Sequence, residues 1–288
     1  MTLPLHKLVD SRYIPTKLIG SGGMADIYAA NDTYCHKAVA LKIIKDQFVD
    51  NDIEYERFKN EARFVSMFSH SHIIKIYNIG FYFGKMFISY ELMNGKTLKD
   101  VLDERGRLSP EEAVEYMLQI LSATKHIHER GVIHNDLKPD NLEKMADDNI
   151  KLIDFGIASH IGEDFSGKTV ASISYAAPEV LSNKLYTVQS DIYSLGVILF
   201  ELITGKTPYR KENAQEEIKA HLLEEVPSIS KYVSLRNYSD FDYVIKKATS
   251  RSLKQRYGND DEFINDLTKI KKGDSLKKKS LLEKIFRK

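Results

Sequence analysis

The sequence predicts an α+β protein in two parts, a small β-rich part followed by a larger, mainly helical one. Three observations carry this. Alternating, β-branched runs fill the first ninety residues, helix-start and helix-stop signals dominate beyond Asn94, and neither an internal repeat nor a low-complexity linker interrupts the 288-residue chain ahead of its basic tail. With 42% hydrophobic and 29% charged residues, such a chain can bury a sizeable core.

The elements follow in order. KLIGSGGMADIYAA alternates around a glycine cluster, and KAVALKII is a β-rich run; together they predict strand, loop, strand. Past the turn residues Asp50 and Asn51, Phe58, Ala62, Val65 and Phe68 recur at three- and four-residue spacing, which predicts an amphipathic helix. IIKIYNIGFYFGKMFISYEL predicts a hairpin turning at Gly84. SPEEAVEYMLQILSATKHIHERG carries Ser109 as N-cap, Pro110 at the first helical position, Glu112 to close a capping box, and Gly131 as terminator. SDIYSLGVILFELITG is apolar on nearly every side, the pattern of a buried helix.

Composition excludes several function classes. The single Cys35 allows no intrachain disulfide and predicts a reducing compartment, and MTLPLHKLVDSRY lacks an apolar signal region, so the expected location is cytoplasmic. VILFELITG is too short to span a bilayer and contains Glu201. The net charge is +1, but Lys269–Lys288 holds nine Lys/Arg against two acids, a net of +7 that leaves −6 on the rest. The body is therefore not expected to bind nucleic acid. His70/His72 and His126/His128 lie near no cysteine or carboxylate array and read as surface or packing residues rather than metal ligands.

Two segments compete for the role of phosphate site. GEDFSGKT (Gly162–Thr169) fits Gly-x4-Gly-Lys-Thr at every position. A P-loop needs a strand before it and a helix after it, and here VASISYAAPE follows, an alternating stretch blocked by Pro178. The other segment, GSGGMA (Gly20–Ala25), opens no helix, as a dinucleotide fingerprint requires; it sits in a hairpin, where glycines let backbone lie across phosphates. Taken alone, an ordinary Gly-rich hairpin explains it equally well. Lys42, in VALK, stands inside an apolar strand, where an unpaired ammonium is costly. Glu61 falls on the inward face of the following helix and offers a partner, with a solvated glutamate as the alternative.

HNDLKPDN (His134–Asn141) and DFG (Asp154–Gly156) decide between them. Phosphoryl transfer requires a carboxylate near the acceptor hydroxyl, a cation on the moving phosphoryl and oxygen ligands for Mg²⁺. Asp136, Lys138, Asn141 and Asp154 supply that set in order, AAPE (Ala176–Glu179) closes the segment, and Arg256 is available to pair with Glu179.

With RFKNEAR, NGKTL and DIYSLGVILFELITGKTPY, these motifs resemble the protein-kinase family over about Ser11 to Ile270, in particular bacterial Hanks-type Ser/Thr kinases and the catalytic domains of PASTA-repeat kinases. The resemblance implies a two-lobed fold: residues 1–93 as the N-lobe with glycine loop and hinge, 94–270 as the C-lobe with catalytic loop and activation segment, and 271–288 as a basic tail. It implies ATP in the cleft, held by Ile19, Gly20, Ser21, Gly22, Gly23, Met24, Ala25, Ile27, Ala40, Lys42, Tyr90, Glu91, Met93 and Leu142. Tyr90 would be the gatekeeper at the back of the adenine pocket. Asp136, Lys138, Lys42 and Glu61 would be catalytic, and Asn141 and Asp154 would bind Mg²⁺, or Mn²⁺ in its place. Asp191 would brace the catalytic loop, while Lys138 and Ser172 mark Ser/Thr acceptors in protein substrates. GEDFSGKT then lies in the activation segment, with Thr169 and Ser166 as phosphorylation sites modified in trans within a homodimer. Such domains often precede a transmembrane span, and the tail, with Leu281, Leu282, Ile285 and Phe286, would rest on the inner membrane surface or stay solvated.

Three residues depart from the family pattern. Ala25 stands for the third glycine of the loop, Asn135 for the arginine that receives the activation-loop phosphate, and Glu143 for an apolar residue beneath the adenine. They sustain one alternative, a pseudokinase scaffold that binds nucleotide or partners without transferring phosphate. The retained Lys42, Asp136, Lys138, Asn141 and Asp154 favour catalysis.

Overall fold

The computed structural model describes residues 5–49, 52–163 and 172–276. Thr169, Ser166 and the tail residues from Lys277 onward lie outside them. The described chain forms two compact units: the N-terminal residues through Gly95 together with Ile153–Ala158, and Lys96–Leu152 together with the chain from Ser159.

In the first unit the expected hairpins assemble into one antiparallel sheet. Its strands are β1 (Tyr13–Ser21), β2 (Ala25–Asp32), β3 (Lys37–Ile44), β4 (Ile76–Tyr82) and β5 (Lys85–Glu91), ordered β1-β2-β3-β5-β4. Helix α1 (Asp52–Ser66) precedes β4, and its predicted inward residues Phe58, Ala62 and Val65 are buried. The β4–β5 turn places Phe83 (φ 47°) and Gly84 (φ 78°) in the left-handed region, as a tight two-residue hairpin requires. Tyr13, Tyr28, Val39, Leu41 and Phe87 form a core cluster on this sheet. Arg12 ties β1 to the end of β2 through two hydrogen bonds to Asp32, at 2.9 and 2.7 Å.

The second unit is mainly helical. The two-residue β6 (Lys96–Thr97) leads into α2 (Leu98–Arg105), capped by a Thr97/Asp100 box. Helix α3 (Pro110–His128) starts with the predicted Ser109/Glu112 box and Pro110 in its first turn. Short strands follow: β7 (Val132–Ile133), β8 (Leu142–Lys144), β9 (Ile150–Leu152) and β10 (Ser159–His160). β10 pairs with β7, and β6-β8-β9 form a three-stranded sheet. After α4 (Pro178–Asn183) comes α5 (Val188–Thr204), whose residues from Ser190 to Thr204 are all buried. That is the buried helix its all-round apolarity predicts. Helices α6 (Ala214–Leu223), α7 (Tyr238–Ala248) and α8 (Asp260–Lys271) complete the unit, with α3 packed on α8 and α5 on α7. Among the described residues no helix is long and apolar enough to cross a membrane.

Candidate active site

The glycine cluster lies where β1 turns into β2. Ser21 pairs with Asp26, and the turn closes with Gly22 N–H donating to the Ala25 carbonyl at 2.9 Å. Lys45 donates to the Gly22 carbonyl at 2.6 Å, and Ser21 Oγ donates to Asp26 Oδ1 at 2.7 Å. Strand, glycine turn, strand is the hairpin alternative of the sequence, not the turn into a helix that a dinucleotide fold uses. Ile19 is exposed, and Ile27 lies opposite Lys42 across the β2–β3 ladder.

Lys42 and Glu61 meet. Lys42 Nζ lies 2.5 Å from Glu61 Oε2, with both side chains largely withdrawn from solvent. Burial alone would lower the Lys42 pKa, but the charges of Glu61 and Asp154 outweigh it and hold the ammonium protonated. Burial pushes the Glu61 carboxyl up, with Lys42 and the Tyr90 hydroxyl working against that push. Tyr90 OH donates to Glu61 Oε1 at 2.6 Å. On β3 its register partner is Ala40, and the next residue, Glu91, is tied to Lys75 by Glu91 N–H to Lys75 O at 2.9 Å.

The Asp154-Phe155-Gly156 segment belongs to the same unit. Asp154 adopts φ 63°, the left-handed region that Asp and Asn tolerate better than other side chains, and its Oδ1 accepts from Gly156 N–H at 3.0 Å. Asn60, the residue before Glu61, donates its amide to the Ala158 and Gly156 carbonyls at 2.7 and 3.3 Å. Phe155 is fully buried, its ring 5.6 Å from that of Phe68. One helix therefore orders both Lys42 and the Asp154 segment. The spacing of apolar residues found Glu61 but gave no sign of Asn60.

In the second unit the catalytic-loop motif folds into one hydrogen-bonded set. Asp136 Oδ2 accepts from Lys138 Nζ at 2.8 Å and from Asn141 Nδ2 at 3.1 Å, and Asn141 Nδ2 also reaches the Asp136 carbonyl at 2.8 Å. Lys138 Nζ donates to Ser172 Oγ at 3.1 Å, the contact expected of a Ser/Thr acceptor site. The Asp136 Oδ1 atom is buried and has no hydrogen-bond partner among the described residues. Beside it opens a cavity lined by Ser172, Tyr175, Ala176, Val180 and Tyr186. Because Asn141 turns its amide nitrogen to Asp136, its amide oxygen is the atom left to ligate a hard cation.

Asp191 braces this loop from α5. Its Oδ2 accepts from His134 N–H at 2.8 Å and its Oδ1 from Asn135 N–H at 3.0 Å. His128, at the end of α3, stands behind it: Nε2 lies 2.9 Å from Asp191 Oδ2, and Nδ1 lies 2.6 Å from Asp260 Oδ2. Burial opposes charge on this ring, but the two carboxylates overcome it and raise its pKa to about 9. His128 is a buried cation, which a surface or packing reading of the histidine misses. The available signal was its place four residues after Thr124 on the apolar stripe of α3; Thr124 itself donates to Asp260 at 2.6 Å.

Asn135 also adopts a left-handed φ of 70°, and its side-chain amide donates to Ser159 Oγ on β10 at 2.9 Å. On β8, Leu142 faces Leu152 of β9 and both are buried, whereas the half-buried Glu143 lies opposite Lys151 and Thr97. Strand alternation puts Leu142 and Glu143 on opposite faces, so the face turned from the Leu142–Leu152 packing carries Glu143. Of the proposed nucleotide contacts, Met93 and Glu91 are half-buried and Tyr90 and Ala40 buried.

Comparison with known proteins fits this inventory. The protein kinase domain family matches residues 13–287. The chain is 35% identical over 269 residues to the probable serine/threonine-protein kinase PknB of Lactococcus lactis, covering 92% of this chain and 43% of the relative. It is 34% identical over 278 residues to serine/threonine-protein kinase PrkC of Bacillus subtilis, covering 96% and 43%. To serine/threonine-protein kinase PknD of Mycobacterium tuberculosis it is 35% identical over 244 residues, covering 84% and 37%. The chain thus spans about two fifths of the length of these relatives. A β-rich unit carrying the glycine hairpin and the Lys42–Glu61 pair, and a helical unit carrying the Asp136 loop, are the two lobes of the protein kinase fold, and the chain belongs to the protein kinase family.

Proposed function

We propose that this protein is a Ser/Thr protein kinase that transfers the γ-phosphoryl of ATP to serine or threonine hydroxyls of protein substrates. The observation that carries the reading is the Asp136–Lys138–Asn141–Ser172 set, with Asp136 Oδ1 buried and unpaired beside a cavity. An unpaired buried carboxylate oxygen is costly unless a donor arrives, and an acceptor hydroxyl is such a donor.

In the reaction, Asp136 takes the hydroxyl proton as that oxygen bonds to the γ-phosphorus and the bond to the β-phosphate oxygen breaks, releasing ADP. Lys138 sits on the same carboxylate and balances charge on the phosphoryl in transit. Lys42, aimed by Glu61, holds the α- and β-phosphates, and the backbone of Gly20–Gly23 covers them. Asn141 and Asp154 would supply oxygen ligands to Mg²⁺, or Mn²⁺, which would neutralise phosphate charge. Autophosphorylation in trans on Thr169 or Ser166 belongs to the same proposal.

The deciding experiment is incorporation of labelled phosphate from ATP into a protein substrate, with Asp136→Asn as control. Transfer by the wild type that the variant loses supports the kinase. Nucleotide binding without transfer by either protein would instead establish the pseudokinase.

A further inference from the structure

Glu61 serves two partners with one carboxylate. Oε2 takes Lys42 at 2.5 Å, Oε1 takes the Tyr90 hydroxyl at 2.6 Å, and the residue is almost wholly buried. The two partners come from β3 and β5, neighbouring strands of the sheet, where Tyr90 pairs with Ala40, two residues before Lys42. Glu61 comes from α1, a helix held to the sheet by side-chain packing rather than by a backbone ladder. A phenol on a strand is thus a fixed point, and a carboxylate on a helix is the part that needs fixing.

We propose that Tyr90 is a positioning residue for the phosphate-holding lysine, its hydroxyl locking the Glu61 rotamer and the seat of α1 so that Lys42 stays aimed. This rests on the kinase reading above. Tyr90 is itself buried, so its hydroxyl must find an acceptor, and Glu61 is the acceptor within reach. Burial followed by the Glu61 charge holds the phenol well above its ordinary pKa, so it remains a donor at all working pH. Without the hydroxyl, Glu61 Oε1 would keep a buried charge with half its partners gone, and the carboxylate would swing or drag α1 outward. The lock is permanent. It suits a chain whose Asn135 offers no positive charge by which a loop phosphate could set the active arrangement.

The test compares wild type, Tyr90→Phe and Tyr90→Met by steady-state kinetics with ATP and a protein substrate, and by amide hydrogen exchange. Loss of the hydroxyl should lower kcat about tenfold, the order expected for one hydrogen bond to a charged acceptor, and leave KM for the protein substrate within about twofold. Exchange should quicken in α1 while the sheet keeps its protection. Wild-type kcat in both variants would overturn the proposal. So would a fall in kcat with unchanged exchange in α1, or failure of both variants to fold, which would make the phenol a packing residue. If the wild type transfers no phosphate, the kinase reading fails, while exchange in α1 still reports whether Tyr90 seats the helix.

Discussion

Arg256 is buried and grips Glu179 with both ends of its guanidinium, Nη1 to Oε1 at 2.6 Å and Nη2 to Oε2 at 3.1 Å. Its Nε and the second Nη1 proton go to the Ser250 and Gln189 carbonyls, each at 2.8 Å. Glu179 lies in the first turn of α4, after the segment bearing Ser172, and Arg256 precedes α8, so the pair closes the second unit across 77 residues of sequence. Removing one partner of such a pair leaves a buried charge uncompensated. Arg256→Ala should therefore lower the unfolding free energy by about 3–5 kcal/mol, and the milder Glu179→Gln by less. Urea denaturation checks this, and a loss below about 1 kcal/mol for Arg256→Ala would contradict it.

The two candidate phosphate lysines separate by mutation. Lys42→Ala should reduce phosphoryl transfer by about a hundredfold or more, because in the proposed reaction the ammonium paired with Glu61 positions the phosphates. Lys168→Ala, in the P-loop-like stretch outside the described residues, should leave ATP affinity within about twofold. Nucleotide titration of both variants is the check, and the reverse pattern would restore GEDFSGKT as the phosphate site.

The ease of reading this chain varied with the range of the interaction. Glu61 was legible because a 3.6-residue period fixes which face of α1 turns inward, and the Ser109/Glu112 cap because its two partners are three residues apart. Arg256 was legible only as a cation available to Glu179, and Ser172 only through resemblance, since nothing local to Glu179 or Lys138 names a partner 77 or 34 residues away. The Tyr90–Glu61, Asn135–Ser159 and His128–Asp260 contacts had no such guide. Each depends on side chains from separate elements converging in space, and residue type alone leaves many partners open.

Regulation should follow from Asn135. Its amide is spent on Ser159, and it has no charge for a phosphate on Thr169. Thr169→Ala should retain at least about a third of wild-type turnover on an external substrate. Near-complete loss of turnover would show that another cation receives the phosphate.

Stability should depend on His128. With Asp191 and Asp260 each facing one ring nitrogen, the imidazole satisfies both only as the doubly protonated cation. Its folded pKa of about 9 exceeds the ordinary 6.5, so the folded state binds the proton more tightly. The stabilisation is then fully present below about pH 6.5 and is lost as pH rises through about 9, on the order of 3 kcal/mol in all. The check is urea unfolding of wild type and His128→Gln across pH 6 to 9.5. The gap between them should narrow as pH rises, and a constant or widening gap would refute a charged His128.

Glu143 is where sequence and expected role conflict most. An ionised carboxylate beneath an adenine ring gains nothing from the π-face and loses hydration. The strand gives it a way out. Leu142 faces Leu152 in the buried packing of β8 on β9, while Glu143 is half-buried opposite Lys151, an opposite charge at cross-strand distance. The carboxylate can therefore turn along the strand surface toward water and Lys151. Under the proposed function, ATP should then bind more weakly than with an apolar residue at this position, while turnover, assigned there to Asp136 and Lys138, should be untouched. Glu143→Leu should tighten ATP binding by about three- to tenfold, the worth of one apolar contact, with kcat unchanged. Calorimetric titration with ATP alongside steady-state kinetics measures both. Weaker binding in the variant would mean that Glu143 contacts the nucleotide productively, and the carboxylate would then have to be counted among the groups that recognise ATP.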